Sequence, residues 1–188
     1  MAQRISGYER KPRDLYETPE WVTRALISYI HPIFDTLNVW EPACASGKMA
    51  RELGAIYASD LVTTYGTPGV DFLKTDRLPE RVNAIITNPP FNREAEKFIR
   101  HGIELIRPIG GFMAMLLPID FDSGKTRRDM FGACPGFAAK LVLTSRIVWF
   151  DPPPGAKNKG PSQNHAWFIW DYADTGQLGP VIAYDYQG

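Results

Sequence analysis

The feature that most constrains the fold is a series of short apolar runs that alternate with helical patterns over the first part of the chain. The runs lie at residues 38–40, 56–58, 84–87 and 112–117, with glycine, proline or acidic residues close to their ends. Runs of this kind are typical of buried strands. Strands that alternate with helices indicate an α/β fold, in which helices cover a mostly parallel sheet.

Two helices are predicted from their boundary residues. The first begins at Thr18-Pro19-Glu20, where threonine would cap the helix and proline would take its first position, and it ends at Pro32. The second follows Asn92, repeats apolar side chains at helical spacing, and stops at Pro108.

Strand patterns crowd together near the C-terminus, at residues 140–150, 165–170 and 181–184. We therefore expect the sheet to finish with an antiparallel hairpin at its C-terminal edge. The turn-rich stretch 151–161 lies too near the end of the chain to separate two domains. Residues 1–188 are expected to form a single domain, with residues 1–14 as a flexible N-terminal arm.

The composition supports one core and excludes several classes of protein. Hydrophobic residues make up 44% of the 188, and 21 basic residues balance 21 acidic ones, so any nucleic-acid footprint must be local. The two cysteines have neither CxxC spacing nor a nearby histidine, which argues against a disulfide framework or a metal site. No apolar run is long enough to cross a bilayer and the N-terminal segment lacks a secretory pattern, so we expect a cytoplasmic protein without membrane contact.

Small and acidic residues follow the first two predicted strands and end the short segment after them, at the positions where ligands bind in parallel sheets. The loop Glu41-Pro42-Ala43-Cys44-Ala45-Ser46-Gly47 has small side chains, which let a ligand lie against the backbone. Asp60 lies 19 residues beyond Glu41, close to the ~20-residue offset at which an acid binds ribose hydroxyls. Asp71-Phe72 places an acid beside a ring, a pair suited to an adenine amino group and its face.

The fourth loop is the most informative, because the apolar strand at residues 84–87 runs directly into Asn88-Pro89-Pro90-Phe91. The two prolines remove two backbone donors and keep Asn88 extended, so the loop mainly accepts hydrogen bonds. The side-chain carbonyl of Asn88 and the main-chain carbonyl of Pro89 match the two hydrogens of an exocyclic amine, while Phe91 can stack on the attached ring. The pattern predicts a site for a planar amine.

These segments, in this order, resemble those of S-adenosylmethionine-dependent amino-methyltransferases of the DNA adenine-N6 family. EPACASG resembles the family's cofactor loop and NPPF its catalytic tetrapeptide, while Leu15-Tyr16-Glu17-Thr18-Pro19 resembles the segment that covers the methionine end of the cofactor. The resemblance covers roughly residues 15–170. It departs from the family at Ala45, where many relatives have glycine.

The resemblance implies a Rossmann-like methyltransferase sandwich that uses S-adenosylmethionine to methylate adenine N6 in DNA. The implied catalytic residues are Asn88, Pro89, Pro90 and Phe91. The cofactor-binding residues expected from the pattern and the resemblance are Tyr16, Thr18, Glu41, Pro42, Ala43, Gly47, Asp60, Asp71, Phe72 and Asn88. No metal is implied.

A target-recognition domain, usual in this family, is not expected, because only about 97 residues follow Phe91 and the sheet needs most of them. Sequence reading would therefore come from loops or from a protein partner, and the oligomeric state stays open. A local excess of positive charge in two late loops predicts phosphate contacts, against the alternative of a solvated loop with scattered lysines. The predicted nucleic-acid contacts are Lys125, Arg127, Arg128, Lys157 and Lys159.

Other functions remain open at this point. RNA adenine enzymes share the NPPF form, and glutamine-N5 and guanine-N2 methyltransferases carry a similar tetrapeptide that more often ends in tyrosine. A catalytically silent cofactor-binding subunit is an alternative outside the enzymes. The segment 122–126, DSGKT, is similar to the end of a phosphate-binding P-loop, but Ile119 stands where that motif needs glycine.

Overall fold

Eight strands form one sheet in the part of the chain that the computed structural model describes, which comprises residues 17–62, 65–90, 93–149, 163–173 and 180–185. The strands are β1 (Val39–Glu41), β2 (Tyr57–Asp60), β3 (Thr67–Pro68), β4 (Ala84–Thr87), β5 (Phe112–Pro118), β6 (Phe137–Leu143), β7 (His165–Asp171) and β8 (Val181–Asp185). Their order across the sheet is β3-β2-β1-β4-β5-β7-β6-β8.

The strand directions confirm the predicted α/β class with a mostly parallel sheet. β3, β2, β1, β4 and β5 are mutually parallel, and β7 is inserted antiparallel between β5 and β6. The expected antiparallel pairing near the C-terminus is confirmed by the β6–β7 pair. The last strand, β8, lies outside that pair and runs parallel to β6.

Four α-helices accompany the described strands: α1 (Glu20–Tyr29), α2 (His31–Phe34), α3 (Lys48–Glu52) and α4 (Arg93–Ile106). The expected threonine cap of α1 is wrong, because Pro19 is the capping residue and no side chain donates or accepts there. Pro32 does not simply stop α1. It lies in the first turn of α2, where its missing N–H costs nothing. No helix in the described ranges is long and apolar enough to cross a membrane.

The core lies on both faces of the sheet because neighbouring strand residues point to opposite sides. Ile86 belongs to the same buried cluster as the α1 side chains Val22 and Leu26, whereas Ile85 belongs to the cluster that contains Phe98 of α4. Both sets of side chains are buried. The helices thus enclose the sheet and leave the carboxyl ends of β1, β2 and β4 as the place where loops emerge.

β6 begins three residues before its predicted start and ends at Leu143 instead of residue 150. Lys140, the first residue of the predicted strand, therefore lies in its interior. Its ammonium lies 2.8 Å from Asp122 and 5.0 Å from the centroid of the Phe168 ring, so the charge is paired at the sheet surface. The short strand β3 has two exposed residues and no apolar pattern, and it was not predicted.

Candidate active site

The carboxyl ends of β1, β2 and β4 meet at one edge of the sheet. β1 pairs in parallel with β2, with Glu41 opposite Ala58, and with β4, with Trp40 opposite Ile85. The loops after these strands therefore leave the sheet side by side, in the position where open α/β sheets bind ligands.

A small cavity at this edge brings together residues from three separate parts of the sequence. Thr18 comes from the segment before α1, and Asn88 follows β4 directly. Glu41 and Ala43 come from the end of β1 and the loop after it. Four residues predicted from the sequence thus line one cavity, whereas the predicted residues Pro42, Gly47 and Asp60 do not line it.

The loop between β1 and α3 turns sharply through left-handed backbone conformations. Gly47 has φ +79° and Ala45 has φ +46°, and the N–H of Gly47 donates to the carbonyl of Cys44 at 2.6 Å. Glycine adopts this region without cost, but a Cβ atom makes it unfavourable for alanine. Ala45, where the sequence departs from the pattern that it resembles, therefore has a backbone conformation that favours glycine.

Glu41 is a buried carboxyl with incomplete hydrogen bonding. Its side chain is 2% exposed, and Oε2 has no hydrogen-bond partner within the described residues. Burial, and then the negative charge of Asp60, raise the pKa of Glu41 well above its ordinary value. A cationic group placed in this cavity would complete the hydrogen bonding of Glu41 and offset both effects.

Asp60 connects two loops of the site through its carboxylate. Oδ2 accepts a hydrogen bond from the N–H of Ala45 at 3.0 Å, and Oδ1 accepts one from the N–H of Val62 at 3.0 Å. Sequence reasoning missed this structural role, because it depends on the approach of two loops. A carboxylate has about four acceptor positions, so capacity remains for ligand hydroxyls.

Two exposed apolar side chains follow Asp60, and the sequence analysis did not single them out. Leu61 is 60% exposed and Val62 is 55% exposed. Apolar residues placed directly after a strand-ending acid are a usable sequence signal. They offer an apolar surface beside a carboxylate, an arrangement that suits a ring attached to a sugar.

Asp71 and Phe72 lie at the start of a short 3-10 turn and outside the lining of this cavity. Oδ1 of Asp71 accepts from the N–H of Leu73 at 3.1 Å, and its Oδ2 lies 3.1 Å from the ammonium of Lys74. The structure corrects the stacking role expected of Phe72. Its ring is 2% exposed and packs against Trp40, Phe98 and His101 at centroid distances of 4.7–5.3 Å, so it is a core residue.

The catalytic candidates begin where the fully buried strand β4 ends. Oδ1 of Asn88 is buried, and the side chain lines the same cavity as Glu41. Pro89 is buried and Pro90 is half-buried, so the segment is held against the fold while donating no backbone N–H from either proline. The segment can accept hydrogen bonds at Asn88 and Pro89.

The predicted nucleic-acid contacts that the structure describes differ in exposure and in their partners. Lys125 and Arg128 are exposed. The guanidinium of Arg127 lies 3.9 Å from the Phe121 ring centroid, donates to the Phe121 carbonyl at 2.8 Å, and pairs with Glu96 at 3.4 Å. The guanidinium of Arg127, which was expected to contact phosphate, thus holds the 121–127 segment against α4.

Several predicted residues and segments lie outside the described residues. They are Tyr16, Phe91, Lys157, Lys159, the N-terminal arm at 1–14 and the turn-rich stretch at 151–161.

His165 is a buried residue at this edge that no sequence pattern singled out. Because β7 is antiparallel to β5, its first residue lies opposite Pro118, at the end of β5. The imidazole is 2% exposed and meets the ring of Trp149 edge-on at 5.3 Å. Burial lowers the pKa of His165 to about 4, so it is neutral at physiological pH.

No three metal-ligating side chains come together among the residues described. No protein-family model matches the chain, and no curated protein matches it.

Solved structures match the fold. One is a protein assigned as a class I S-adenosylmethionine-dependent methyltransferase from Listeria monocytogenes (TM-score 0.60, 14% identity, 89% of this chain and 64% of that one). A second is a type I restriction-modification methyltransferase subunit from Streptococcus thermophilus (0.60, 14%, 83% and 44%). A third is a protein assigned as an RNA methyltransferase from Pyrococcus horikoshii (0.59, 15%, 89% and 92%).

At these identities the likeness is one of fold. The chain has the Rossmann-like α/β fold found in class I methyltransferases. It spans 64% and 44% of the length of the first two of these structures, and most of the third.

Proposed function

We propose that this protein transfers a methyl group from S-adenosylmethionine to the exocyclic N6 amine of adenine in DNA. The observation that carries the proposal is the shared cavity of Asn88 and the loop after β1. An amine acceptor and a loop suited to a nucleoside ligand lie together at the binding edge of a methyltransferase fold.

The residues at this edge fit the cofactor. The buried Oε2 of Glu41, which lacks a partner in the described part of the chain, suits the ammonium of the cofactor's methionine portion. Asp60 retains acceptor capacity for ribose hydroxyls, and Leu61 offers an apolar surface close by. When bound, the cofactor supplies a methyl group activated by a positively charged sulfur.

Asn88 and Pro89 would hold the accepting amine. The lone pair of an adenine amine is delocalised into the ring, which makes the amine a weak nucleophile. Two carbonyl acceptors, one on each N–H, favour the pyramidal form that can attack and fix its orientation. No general base is needed before attack, and the lowered pKa of the buried His165 makes that imidazole a weak base.

DNA is the proposed substrate, and a similar fold occurs in a type I restriction-modification methyltransferase subunit. The exposed Lys125 and Arg128 follow β5, on the side from which a polymer would approach, and are proposed to contact phosphates. A base must leave the duplex stack to reach a cavity of this kind, or come from a single strand. A protein partner is proposed to supply target recognition.

RNA adenine methylation is the second candidate. The observation that favours it is the match to a protein assigned as an RNA methyltransferase, of which this chain spans 92%. Little of that protein lies outside the part that this chain covers.

Transfer of a labelled methyl group tests the proposal. The protein is incubated with methyl-labelled S-adenosylmethionine and with DNA, RNA or protein separately, and the product is digested and identified. Label in N6-methyldeoxyadenosine is the expected result. Label in N6-methyladenosine of RNA alone would favour the second candidate, and label in methylglutamine or in no polymer would contradict the proposal.

A further inference from the structure

A tyrosine outside the proposed chemistry packs against the loop between β1 and α3. A Cβ atom at Gly47 would lie 2.1 Å from Cδ1 and 2.2 Å from Cγ of the Tyr65 ring. These distances are far shorter than van der Waals contact. The ring of Tyr65 therefore fills the space that any side chain at position 47 would need.

Two further contacts attach Tyr65 to the same loop. The guanidinium of Arg51, in α3, lies 4.9 Å from the ring centroid, and its Nη1 donates to the carbonyl of Ser46 at 3.0 Å. The Sγ of Cys44 donates to the carbonyl of Tyr65 at 3.4 Å. Tyr65 thus contacts both ends of the segment 44–47, yet it does not line the cavity that holds Glu41 and Asn88.

The segment 44–47 needs such support because two of its four residues have left-handed backbone conformations. A strained conformation persists only where the surrounding structure holds it. We propose that Tyr65 is a positioning residue for the cofactor loop, which its ring keeps in the shape that S-adenosylmethionine binds. This inference rests on the proposed function.

If Tyr65 has this role, its substitution should change the affinity for the cofactor without changing the rate of methyl transfer. A preformed loop lowers the conformational cost of binding a ligand. Replacing the ring by a methyl group leaves space beside Gly47, so the loop relaxes and the cofactor must reorder it. Asn88 follows a different strand, β4, and keeps its place, so methyl transfer from the saturated complex should be unchanged.

Calorimetric titration with S-adenosylhomocysteine tests the first half of this claim. Tyr65→Ala should weaken binding about tenfold, the scale of a lost preorganised loop, whereas Tyr65→Phe, which keeps the ring, should bind as the parent does. The matched control is Tyr184→Ala. Tyr184 is 52% exposed on β8, at the opposite edge of the sheet from β2, and its replacement should leave affinity unchanged.

The second half of this claim, the unchanged rate of methyl transfer, is tested by steady-state kinetics with the polymer that accepts the label. Tyr65→Ala should raise the KM for S-adenosylmethionine by the same factor as the Kd and leave kcat within about twofold, as expected for a change in binding alone. If Tyr65→Ala does not fold, Arg51→Ala serves instead, because Arg51 is exposed and its loss removes both its contact with the Tyr65 ring and its hydrogen bond to the carbonyl of Ser46. It should weaken binding about threefold, a smaller loss of preorganisation.

A double-mutant cycle tests the contact itself. Gly47→Ala should weaken binding strongly in the parent background, because the added Cβ atom meets the Tyr65 ring. In the Tyr65→Ala background the same change should cost less, since the ring is gone and only the φ strain remains. Equal costs in both backgrounds would overturn the inference.

Other results separate this inference from the function on which it rests. A parent protein that binds neither S-adenosylmethionine nor S-adenosylhomocysteine would overturn both. A parent that binds, with unchanged affinity in Tyr65→Ala or with a kcat that falls as far as the affinity, would overturn the positioning role alone.

Discussion

Ala45 carries left-handed backbone strain in the loop of the candidate site, with φ +46°. Replacing it by glycine removes a cost of roughly 1–2 kcal/mol, partly offset by the greater freedom of glycine in the unfolded chain. Ala45→Gly should therefore raise the free energy of unfolding by about 0.5–1 kcal/mol. Ala25→Gly is the control. It lies inside α1 and should destabilise by about 1 kcal/mol. Denaturant unfolding that shows Ala45→Gly to be no more stable than the parent would contradict the account of this loop.

Glu41 links the stability of the free protein to pH and to the cofactor. Because burial and Asp60 raise its pKa, the folded protein keeps a proton that the unfolded chain releases, so stability falls as pH rises above the ordinary range of a glutamate. Glu41→Gln should remove this slope and leave the free protein at least as stable at pH 7. It should also weaken S-adenosylhomocysteine binding at least about tenfold, since the cofactor's ammonium loses its anionic partner.

Calorimetry in buffers of different ionisation enthalpy checks the same assignment. The parent should release protons on binding the cofactor, because the ammonium favours the ionised carboxylate of Glu41. Glu41→Gln should abolish that release. Proton release of the same size in both proteins would remove Glu41 from the cofactor site.

His165 gives a pH dependence of the opposite sign. Its pKa falls from 6.5 to about 4 on folding because of burial, so the unfolded chain binds the proton first as the pH drops. Stability should decline by up to about 3 kcal/mol between pH 6.5 and pH 4 from this residue. His165→Leu should flatten that part of the stability profile, measured by urea unfolding at several pH values. An identical slope in the variant would show that other groups cause the decline.

At the scale of elements, the segment that follows β5 separates structural from exposed cations. Arg127 packs over Phe121 and pairs with Glu96 of α4, so Arg127→Ala should lower stability by about 1–2 kcal/mol and leave the salt dependence of DNA binding unchanged. Lys125→Ala and Arg128→Ala should do the reverse. Each should flatten the salt dependence by up to ~0.9 on duplex DNA, or ~0.7 on single strands, without changing stability. Thermal melts measure the change in stability, and DNA binding at several salt concentrations measures the salt dependence. A flatter salt dependence in Arg127→Ala, or a loss of stability in Lys125→Ala and Arg128→Ala, would contradict this distinction.

The sequence predicted elements well where a local pattern decides them. β4 has its predicted bounds because four buried residues lie between an asparagine on each side, and β5 extends its prediction by one residue. β6 begins and ends before its predicted bounds, and the ion pair that Lys140 forms with Asp122 from inside this strand depends on tertiary packing. β8 lies parallel to β6, a pairing that depends on tertiary packing and that no local pattern specifies.

The candidate site was likewise predicted only where a local sequence pattern determines it. The order of acids and prolines after the strands was sufficient to predict that Glu41 and Asn88 share a site, because parallel strands end at one edge. The core position of Phe72 and the two backbone partners of Asp60 could not be predicted, since both depend on how separate loops and helices pack. Tyr65 has no motif at all, and only its contact with Gly47 reveals it.

At the scale of the whole molecule, the two proposed functions lie on segments that follow different strands. The loop after β1 is proposed to hold the cofactor, and the segment after β4 is proposed to hold the amine, while β1 and β4 are neighbours in the sheet. This division makes cofactor binding and methyl transfer separable by substitution.

The most direct test of the central claim is single-turnover methyl transfer by Asn88→Ala, measured with saturating labelled cofactor and adenine-containing DNA, beside its affinity for S-adenosylhomocysteine. We expect transfer to fall by at least about a hundredfold, the scale of a lost transition-state contact, while affinity stays within severalfold of the parent. Near-normal transfer by a folded Asn88→Ala protein would contradict the claim that Asn88 holds the reacting amine.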